Sequence, residues 1–263
     1  MGSVPERTGA AAVLNPLLEQ SELMRVKDSF WHKLRTSGLD RHLMSLVEVL
    51  EPSAQIFVVG GFFRDCVREC QEDKRIVPKD LDVVVDTERL SHALYKIGAR
   101  VTTTPLGGYR WQPNGVGAWM DIWQLKDTMW LRNETGVLSI REYLAGVDLN
   151  IDRIAFDFQG NVVYDDGCLA GLASRTIDLD AAIRIEHLLP YELVRAVVAH
   201  IKTSYAFTSR VTQLIRRCDA MTLTKAGEER LPYDGYGDAV LTATRSVMQS
   251  IRVHGDAQLS QEV

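Results

Sequence analysis

Residues 56–86 constrain the fold of this chain more than any other stretch. They combine two apolar strand candidates with the pair Gly60-Gly61 and with Asp80 and Asp82. The apolar run at residues 56–59 predicts a buried strand. Gly60 and Gly61 end that run, and the segment from Phe62 onward has helical character. A polar loop then leads into a second strand candidate. The pattern is therefore a strand, a tight turn, a helix and a strand in close succession.

Asp80 and Asp82 open the second strand candidate, directly before the apolar residues Val83–Val85. Alternate residues of a strand point to the same face, so these two carboxylates are expected to aim at one spot. Like charges held that close repel each other unless a cation lies between them. Because carboxylate oxygens suit hard divalent cations, the pair predicts a metal site. The alternative is that both acids only cap a strand edge.

The turn G-G-F-F-R-D followed by K-D-L-D-V-V-V resembles the head of the nucleotidyltransferases that include tRNA CCA-adding enzymes and bacterial poly(A) polymerases. That family's signature is a G-G-x-x-R-D turn and helix, then a D-x-D strand. Either half alone is a weak signal, whereas both halves in order are fairly specific. The resemblance implies an α+β fold, with a mixed β-sheet head flanked by helices and followed by a helical neck and C-terminal part.

The resemblance also implies a third carboxylate on a later strand. Asp121, in W-M-D-I-W, matches that position in the middle of a predicted strand at residues 118–125. An acid among apolar residues is costly without a partner, although Asp121 facing solvent from a half-exposed strand is the alternative. Asp80, Asp82 and Asp121 are thus the predicted catalytic and metal-binding residues, with Mg²⁺ or Mn²⁺ as the cofactor.

A nucleoside triphosphate is expected to bind against the glycine turn. Gly60 and Gly61 let the backbone approach phosphates closely, and the N–H groups at the start of the following helix favour an anion. Arg64 is a further candidate for contacting the phosphates, and this assignment rests mainly on the resemblance to the family. Asp65 is expected to brace the turn or Arg64 rather than to bind metal.

A later segment matches the family only in part. G-V-D-L-N-I-D-R resembles the family's R-R-D-x-T-x-N-A, and Asp148 takes the acidic place. A Gly-Val pair replaces the paired arginines, while Asn150 and Asp152 replace the later threonine and asparagine. Asp148, Asp152 and Arg153 remain candidate nucleotide-binding residues, with Arg153 and Arg141 as replacement sources of positive charge.

The stretch L-P-Y-E-L-V-R-A-V-V-A-H resembles the family's neck helix. In CCA-adding enzymes an E-D-x-x-R stretch there reads the incoming base. Aligning the shared L-x-R-A end puts Leu188 and Leu189 at the Glu and Asp positions, and Glu192 at the Arg position. Glu192 presents acceptors where the family presents donors. The sequence therefore predicts that this is not a CCA-adding enzyme.

The predicted organisation has three parts: a helical region at 1–50 packed on the head, the head at 51–183, and a helical neck and C-terminal region at 184–263. Helical spacing begins near residue 15, loosens after Gly227 and returns at residues 239–251. Gly160-Asn161 predicts a hairpin turn. Net charge changes from −5 over residues 145–183 to +3 over residues 184–230, which suits a polyanionic acceptor or simply a solvated helix face.

Composition excludes some classes of protein. The 263-residue chain carries a net charge of −5 and no apolar run of the roughly 18 residues that would span a membrane. The first residues lack the apolar core of a signal peptide. The four cysteines form no C-x-x-C pair, which favours reduced thiols. A cytoplasmic location is the resulting interpretation.

Three functions remain open. The first is a metal-dependent nucleotidyltransferase that moves a nucleoside monophosphate from an NTP to an RNA 3′ end, with tRNA among the candidate acceptors. The second is the same chemistry on a protein hydroxyl or a small molecule. The third is a protein that binds NTP or RNA through a catalytically decayed head. The lost arginine pair favours the third, whereas Asp80, Asp82 and Asp121 argue against it.

Overall fold

The structure, a computed structural model, describes residues 20–73, 75–77, 79–104, 107–129, 131, 138–157, 159–179, 189–233 and 235–254. Over these residues the chain forms a mixed seven-stranded β-sheet with helices packed on it, followed by further helices. The predicted α+β class is therefore confirmed. The expected helical start at residues 15–19 lies outside the described residues.

The bounds of the elements follow the chain in two halves. The first half contains α1 (Gln20–Thr36), α2 (Asp40–Val49), β1 (Gln55–Val59), α3 (Gly61–Glu72), β2 (Asp80–Asp86), α4 (Leu90–Lys96), β3 (Val101–Thr103), β4 (Tyr109–Trp111) and β5 (Trp119–Gln124). The second half contains α5 (Ile140–Gly146), β6 (Ile154–Asp157), β7 (Val162–Asp165), α6 (Cys168–Ser174), β8 (Thr176–Ile177), α7 (Leu189–Thr203), β9 (Ala206–Phe207), α8 (Ser209–Arg217), α9 (Ala220–Tyr233) and α10 (Asp238–His254). Short 3₁₀ turns lie at Leu125–Asp127 and Asn150–Asp152.

The large sheet has the strand order β3-β4-β5-β2-β1-β6-β7. The pairing of β2 with β5 is parallel, and the other neighbouring strands pair antiparallel. In the parallel pair Asp82 lies directly opposite Asp121. Because register partners in a parallel pair share a face, the sheet brings these two acids to the same side.

Helices α1 and α3 cover one face of the sheet through an aromatic cluster. Phe30 of α1, Phe63 of α3 and Phe156 of β6 are almost fully buried. The ring centroids of Phe30 and Phe156 are 4.9 Å apart, and those of Phe63 and Phe156 are 5.1 Å apart. On the opposite face a smaller cluster includes Phe57 of β1 and Leu144 of α5. The sheet is therefore buried on both sides, which keeps the ends of β1 and β2 in place.

The hairpin expected at Gly160-Asn161 is present, since β6 and β7 pair antiparallel and Asn161 adopts a left-handed φ of 55°. The small parallel pair of β8 with β9 was not predicted, because two-residue strands carry no periodic signal. In the part of the chain described, no helix is both long and apolar enough to cross a membrane.

The expected loosening of helical order before the last helix begins later than Gly227. Helix α9 continues through Gly227 to Tyr233, and Pro232 lies in its last turn. A Cβ atom added at Gly227 would lie 3.6 Å from the Leu241 side chain of α10. Glycine thus marks the place where two helices pack closely, which tertiary contact stabilises despite its low helix propensity.

The aromatic cluster gives a first prediction. Phe30→Ala should lower the free energy of unfolding by about 3–5 kcal/mol, because it leaves a cavity between two helices and the sheet. Urea denaturation measures this change. Met24→Ala, in the same helix but 62% exposed, is the matched control and should change stability by less than about 0.5 kcal/mol. Equal effects of the two substitutions would contradict this description of the core.

Candidate active site

A cleft of about 220 Å³ opens between the sheet, helix α7 and the segment that follows α9. Seven of the residues singled out in the sequence line it: Gly60, Gly61, Arg64, Asp80, Asp82, Asp121 and Asp152. Asp148 and Arg153 do not line it. The cleft is therefore where the glycine turn and the predicted carboxylates meet.

Asp80 and Asp82 line this cleft from the first residues of β2, a mostly buried strand. Burial raises the pKa of Asp82 well above its usual value, and the negative charges of Asp80 and Asp121 raise it further. A raised carboxyl pKa means that ionising this group is unfavourable in the folded protein. The structure therefore concentrates acidic groups at a point where a cation would relieve their repulsion.

Asp121 already has a cationic partner. Arg110 lies directly opposite it on β4, and the two form a bidentate pair. Arg110 Nε donates to Asp121 Oδ1 at 2.7 Å, and Arg110 Nη2 donates to Oδ2 at 2.6 Å. Among the described residues, no group of three His, Cys, Asp or Glu side chains is arranged to hold a metal ion. The three-carboxylate metal site therefore remains a prediction. Arg110 binds both carboxylate oxygens of one of its three proposed ligands, Asp121.

The glycine turn has the conformation that the sequence requires. Gly60 has φ 62° and ψ −131°, a region that side-chain-bearing residues rarely adopt. A Cβ added at Gly60 would lie 3.8 Å from Asp82 Oδ2, and one added at Gly61 would lie 3.3 Å from Arg64 Nη2. Helix α3 begins at Gly61, so its N-terminus lies next to Asp82, and the first N–H groups of a helix favour an anion.

Arg64 belongs to a buried network that joins the head to α7. Its Nε donates to Asp65 at 3.0 Å, which confirms that Asp65 braces Arg64, and its Nη1 donates to Asp152 at 2.5 Å. Asp152 also accepts from Arg195 of α7 at 2.9 Å. Burial acts to lower the pKa of Arg64, but the charges of Asp65 and Asp152 outweigh it and raise the pKa. Arg64 is thus held charged and rigid beside Gly61.

Three candidates from the partly matching segment lie elsewhere. Arg153 Nε donates to the backbone oxygen of Val147 at 2.6 Å, and its Nη1 lies 3.9 Å from an Asp166 oxygen. Asp148 is buried outside the cleft lining. Arg141 lies over an aromatic ring of β7 at 5.7 Å. None of these three residues is among those that line the cleft, and Arg153 holds a backbone oxygen of the preceding turn.

The neck-helix residue that the sequence aligns with a base-reading position, Glu192, is engaged by a neighbouring arginine. Glu192 is almost fully buried, and its carboxylate accepts two hydrogen bonds from Arg195, at 3.2 and 2.9 Å. Glu192 does not line the cleft. Leu189 begins α7, whereas Leu188 lies outside the described residues. The acceptor oxygens that the sequence places at this position therefore point into a salt bridge.

Sequence reasoning missed most of the cations in the cleft. Six basic side chains line it against four acidic ones, namely Arg64, Lys79, Arg110, Arg195, Lys202 and Arg230 against Asp80, Asp82, Asp121 and Asp152. Tyr236 lies among them, with Lys79 Nζ 3.8 Å and Lys202 Nζ 4.8 Å from its ring centroid. Burial lowers the pKa of Lys202, and nearby Arg64 lowers it further. Only Arg64, which belongs to the predicted glycine turn and helix, and Lys79, adjacent to the D-x-D pair, had a signal in the sequence.

Comparison with known proteins identifies the fold. A tRNA nucleotidyltransferase solved with a primer tRNA and an incoming ATP analogue is 17% identical, with a TM-score of 0.55 over 81% of this chain and 61% of that chain. A CCA-adding enzyme solved with CTP is 16% identical, with a TM-score of 0.54 over 80% of this chain and 54% of that chain. The Thermotoga maritima CCA-adding enzyme, solved with tRNA, is also 16% identical, with a TM-score of 0.51 over 80% of this chain and 53% of that chain.

At these identities the likeness shows a shared nucleotidyltransferase fold. The chain spans between about half and three fifths of the length of these solved structures. No protein-family profile and no curated protein matches the sequence.

The raised pKa of Asp82 predicts a pH effect on stability. In the unfolded chain an aspartic acid titrates near pH 4, so the folded state holds this proton to higher pH. The stability associated with the protonated carboxyl is complete below about pH 4 and is lost as pH rises through the folded pKa. Asp82→Asn avoids that loss.

In buffer containing EDTA, Asp82→Asn should therefore unfold at higher urea concentration than the wild type at pH 8, while the two should converge below about pH 4. The acidic measurement is the control for any packing change. A variant less stable than the wild type at pH 8, or an offset that does not change with pH, would show that the acids do not repel each other as described.

Proposed function

We propose that this protein is a metal-dependent nucleotidyltransferase that moves a nucleoside monophosphate from an NTP to an acceptor hydroxyl. The observation that supports this most directly is the meeting of the Gly60-Gly61 turn with Asp80, Asp82 and Asp121 in one cleft. The fold shared with tRNA nucleotidyltransferases agrees with it. A decayed head has less support, because the acids and the turn are both in place.

Asp80 and Asp82 have the chemistry to hold Mg²⁺ or Mn²⁺. Both offer hard oxygen donors into the cleft. The raised pKa of Asp82 reflects first its burial and then the negative charges of Asp80 and Asp121, and a bound cation would offset both. Asp121 becomes available as a third ligand only if Arg110 releases it. When bound, a divalent ion supplies charge neutralisation at the phosphates and activates the attacking hydroxyl.

The triphosphate is proposed to lie along the start of α3. Backbone N–H groups after Gly60 face it, and Arg64 offers Nη2 beside Gly61 while Asp65 and Asp152 fix its other nitrogens. Lys79 and Lys202 add positive charge to the lining of the cleft. These residues bind and orient the anion, which is most of what a protein contributes to phosphoryl transfer. Asp148 and Arg153 act on the nucleotide only indirectly, by supporting the turn that carries Asp152.

An RNA 3′ end is the acceptor that we favour, because the cleft has a surplus of cations although the chain is acidic. In this proposal residues 51–183 form the catalytic head, 184–263 the neck and C-terminal region, and 1–50 a helical cover on the head. The protein does not read C and A as CCA-adding enzymes do, because Glu192 is engaged by Arg195. Any nucleotide preference is set by other residues or is weak.

The direct test is incubation with each labelled NTP, Mg²⁺ and total RNA, followed by separation of RNA, protein and small molecules. Label in RNA that depends on the divalent ion supports the proposal. Label in protein or in a small molecule would move the acceptor to that class. If no component is labelled and calorimetry detects no NTP binding, the interpretation of a catalytically decayed head would be favoured instead.

Substitution of a proposed metal ligand gives a graded prediction. Asp80→Asn should lower the labelling rate by more than about 100-fold, since even outer-shell partners of a metal cost about 10–100-fold when removed. Asp86→Asn, at the exposed far end of the same strand, is the matched control and should retain the wild-type rate. Comparable labelling rates for Asp80→Asn and the wild type would show that Asp80 does not act as a catalytic metal ligand.

Arg110 gives a separate prediction about cation binding. Arg110→Gln removes a competing guanidinium and frees both oxygens of Asp121, so Mn²⁺ should bind about tenfold more tightly by calorimetry, a change of about 1.4 kcal/mol. Arg100→Gln, an exposed arginine before β3, is the control and should leave Mn²⁺ affinity unchanged. Weaker Mn²⁺ binding by Arg110→Gln would mean that Arg110 orders the acids for metal rather than competing with it.

A further inference from the structure

Both of the lysines described in the lining of the cleft lie over one aromatic ring. Lys79 directly precedes β2, and Lys202 belongs to the last turn of α7. Their Nζ atoms lie 3.8 and 4.8 Å from the centroid of the Tyr236 ring. Tyr236 itself follows α9. Three segments that are distant in the sequence therefore meet at this ring.

Lys202 lacks an anionic partner among the described residues. Within that part of the chain its Nζ makes no ion pair and no hydrogen bond, and it contacts the ring of Tyr236. The residue as a whole is exposed, whereas its charged end is crowded enough for burial to lower its pKa. The positive charge of Arg64 lowers that pKa further, and the two effects outweigh the nearby acids. Lys202 is thus accessible to a ligand, and an anion beside it would favour its charged form.

Three arginines of the same cleft differ from Lys202, because acids of the protein already engage them. The ion pairs are Arg64 with Asp65 and Asp152, Arg110 with Asp121, and Arg195 with Asp152 and Glu192. An arginine held in this way contributes a fixed geometry more than an unsatisfied charge. Lys202 is accordingly the lysine of the cleft to which a substrate anion adds the pairing that the described residues do not supply.

The backbone around Tyr236 fixes the position of its ring. The Tyr236 N–H donates to the backbone oxygen of Leu231 at 2.8 Å, and Leu231 is almost fully buried in α9. A Cβ added at Gly235 would lie 2.8 Å from the side chain of Trp119, so the chain just before Tyr236 packs closely on the start of β5. An aromatic face attracts a cation electrostatically. The ring is therefore a fixed support for a lysine that is otherwise long and flexible.

We propose that Tyr236 is a positioning residue that holds the ammonium of Lys202 in the cleft, where this ammonium binds the triphosphate of the incoming nucleotide. The ring attracts one side of the ammonium and leaves N–H donors for phosphate oxygens. The triphosphate is favoured over a phosphate of RNA because Lys202 lies near Arg64, at the start of α3. This inference rests on the proposed nucleotidyl transfer, and it adds that the segment after α9 helps to build the substrate site.

Calorimetry with a non-hydrolysable NTP analogue in Mg²⁺ tests the two roles. Lys202→Met should weaken binding about tenfold or more, because it removes a charged hydrogen bond. Tyr236→Leu should weaken it about threefold through loss of the cation–π contact, whereas Tyr236→Phe keeps the ring and should bind as the wild type does. Lys96→Met and Tyr95→Leu, at exposed positions of α4, are the matched controls and should leave the affinity unchanged.

A double-mutant cycle separates positioning from packing. If Tyr236 acts through Lys202, most of the effect of Tyr236→Leu on NTP affinity should disappear in the Lys202→Met background. A merely structural role of Tyr236 would give the same loss in both backgrounds, and that result would overturn the proposal. Thermal unfolding of each variant reports any loss of fold. Should Tyr236→Leu not fold, unchanged NTP affinity in Lys202→Met alone would overturn the proposal.

Chemical modification gives a measurement that does not depend on nucleotidyl transfer. Pyridoxal 5′-phosphate forms an imine with an unprotonated lysine amine, borohydride reduces the imine to a stable amine, and peptide mass spectrometry locates the product. At neutral pH Lys202 should react faster than Lys96, because the pKa of Lys202 is lowered. Inorganic triphosphate should protect Lys202 better than single-stranded RNA does. Protection by RNA but not by triphosphate would overturn the assignment of the anion.

The wild-type protein distinguishes failure of this inference from failure of the proposed function. If the wild type binds the NTP analogue and Lys202→Met binds it equally well, the roles of Lys202 and Tyr236 are overturned and nucleotidyl transfer still stands. If the wild type binds no NTP and triphosphate does not protect Lys202, both are overturned.

Discussion

Asp152 is a carboxylate, almost completely removed from solvent, that accepts hydrogen bonds from two arginines on different helices. Arg64 comes from the helix after the glycine turn, and Arg195 comes from α7. Such a buried charge is tolerated only because both guanidinium groups surround it, and removing it would leave two cations facing each other. The position of α7 over the sheet, and with it the shape of the cleft, depends on this bridge. Asp152 stands where the resembled family has an asparagine, so here a neutral amide is replaced by a structural charge.

The net charge of the whole chain and that of the cleft have opposite signs. The protein has a net charge of −5, yet the cleft has more basic than acidic side chains. A cationic cleft in an acidic body attracts polyanions to one place and repels them from the rest of the surface. Asp80 and Asp82 line the same cleft as these basic side chains. This arrangement suits a site that must hold both a metal ion and a phosphate chain.

The glycine turn and the start of β2 were predictable because their signals are local. The period of two in a strand places Asp80 and Asp82 on one face, and a glycine pair between a strand and a helix has few other conformations. The parallel register that sets Asp82 beside Asp121 was not predictable from spacing alone, because it depends on a crossover through α4 and a hairpin. Tyr236 and Lys202 reach the cleft through helix packing across long sequence separations, which no motif reports. Arg153 illustrates the opposite case, a charge of the expected sign that the fold uses to hold a backbone oxygen.

The ion pair between Arg110 and Asp121 joins residues only 11 positions apart, on adjacent strands of one hairpin. Asp80 and Asp82 arrive from an earlier part of the chain and join this hairpin only when the central sheet assembles. Contacts that are close in sequence close smaller loops and form with less entropy loss than distant ones. One of the three acids therefore acquires its counter-charge locally, before the others approach. The three carboxylates can therefore come together during folding without the repulsion among all three opposing a single step.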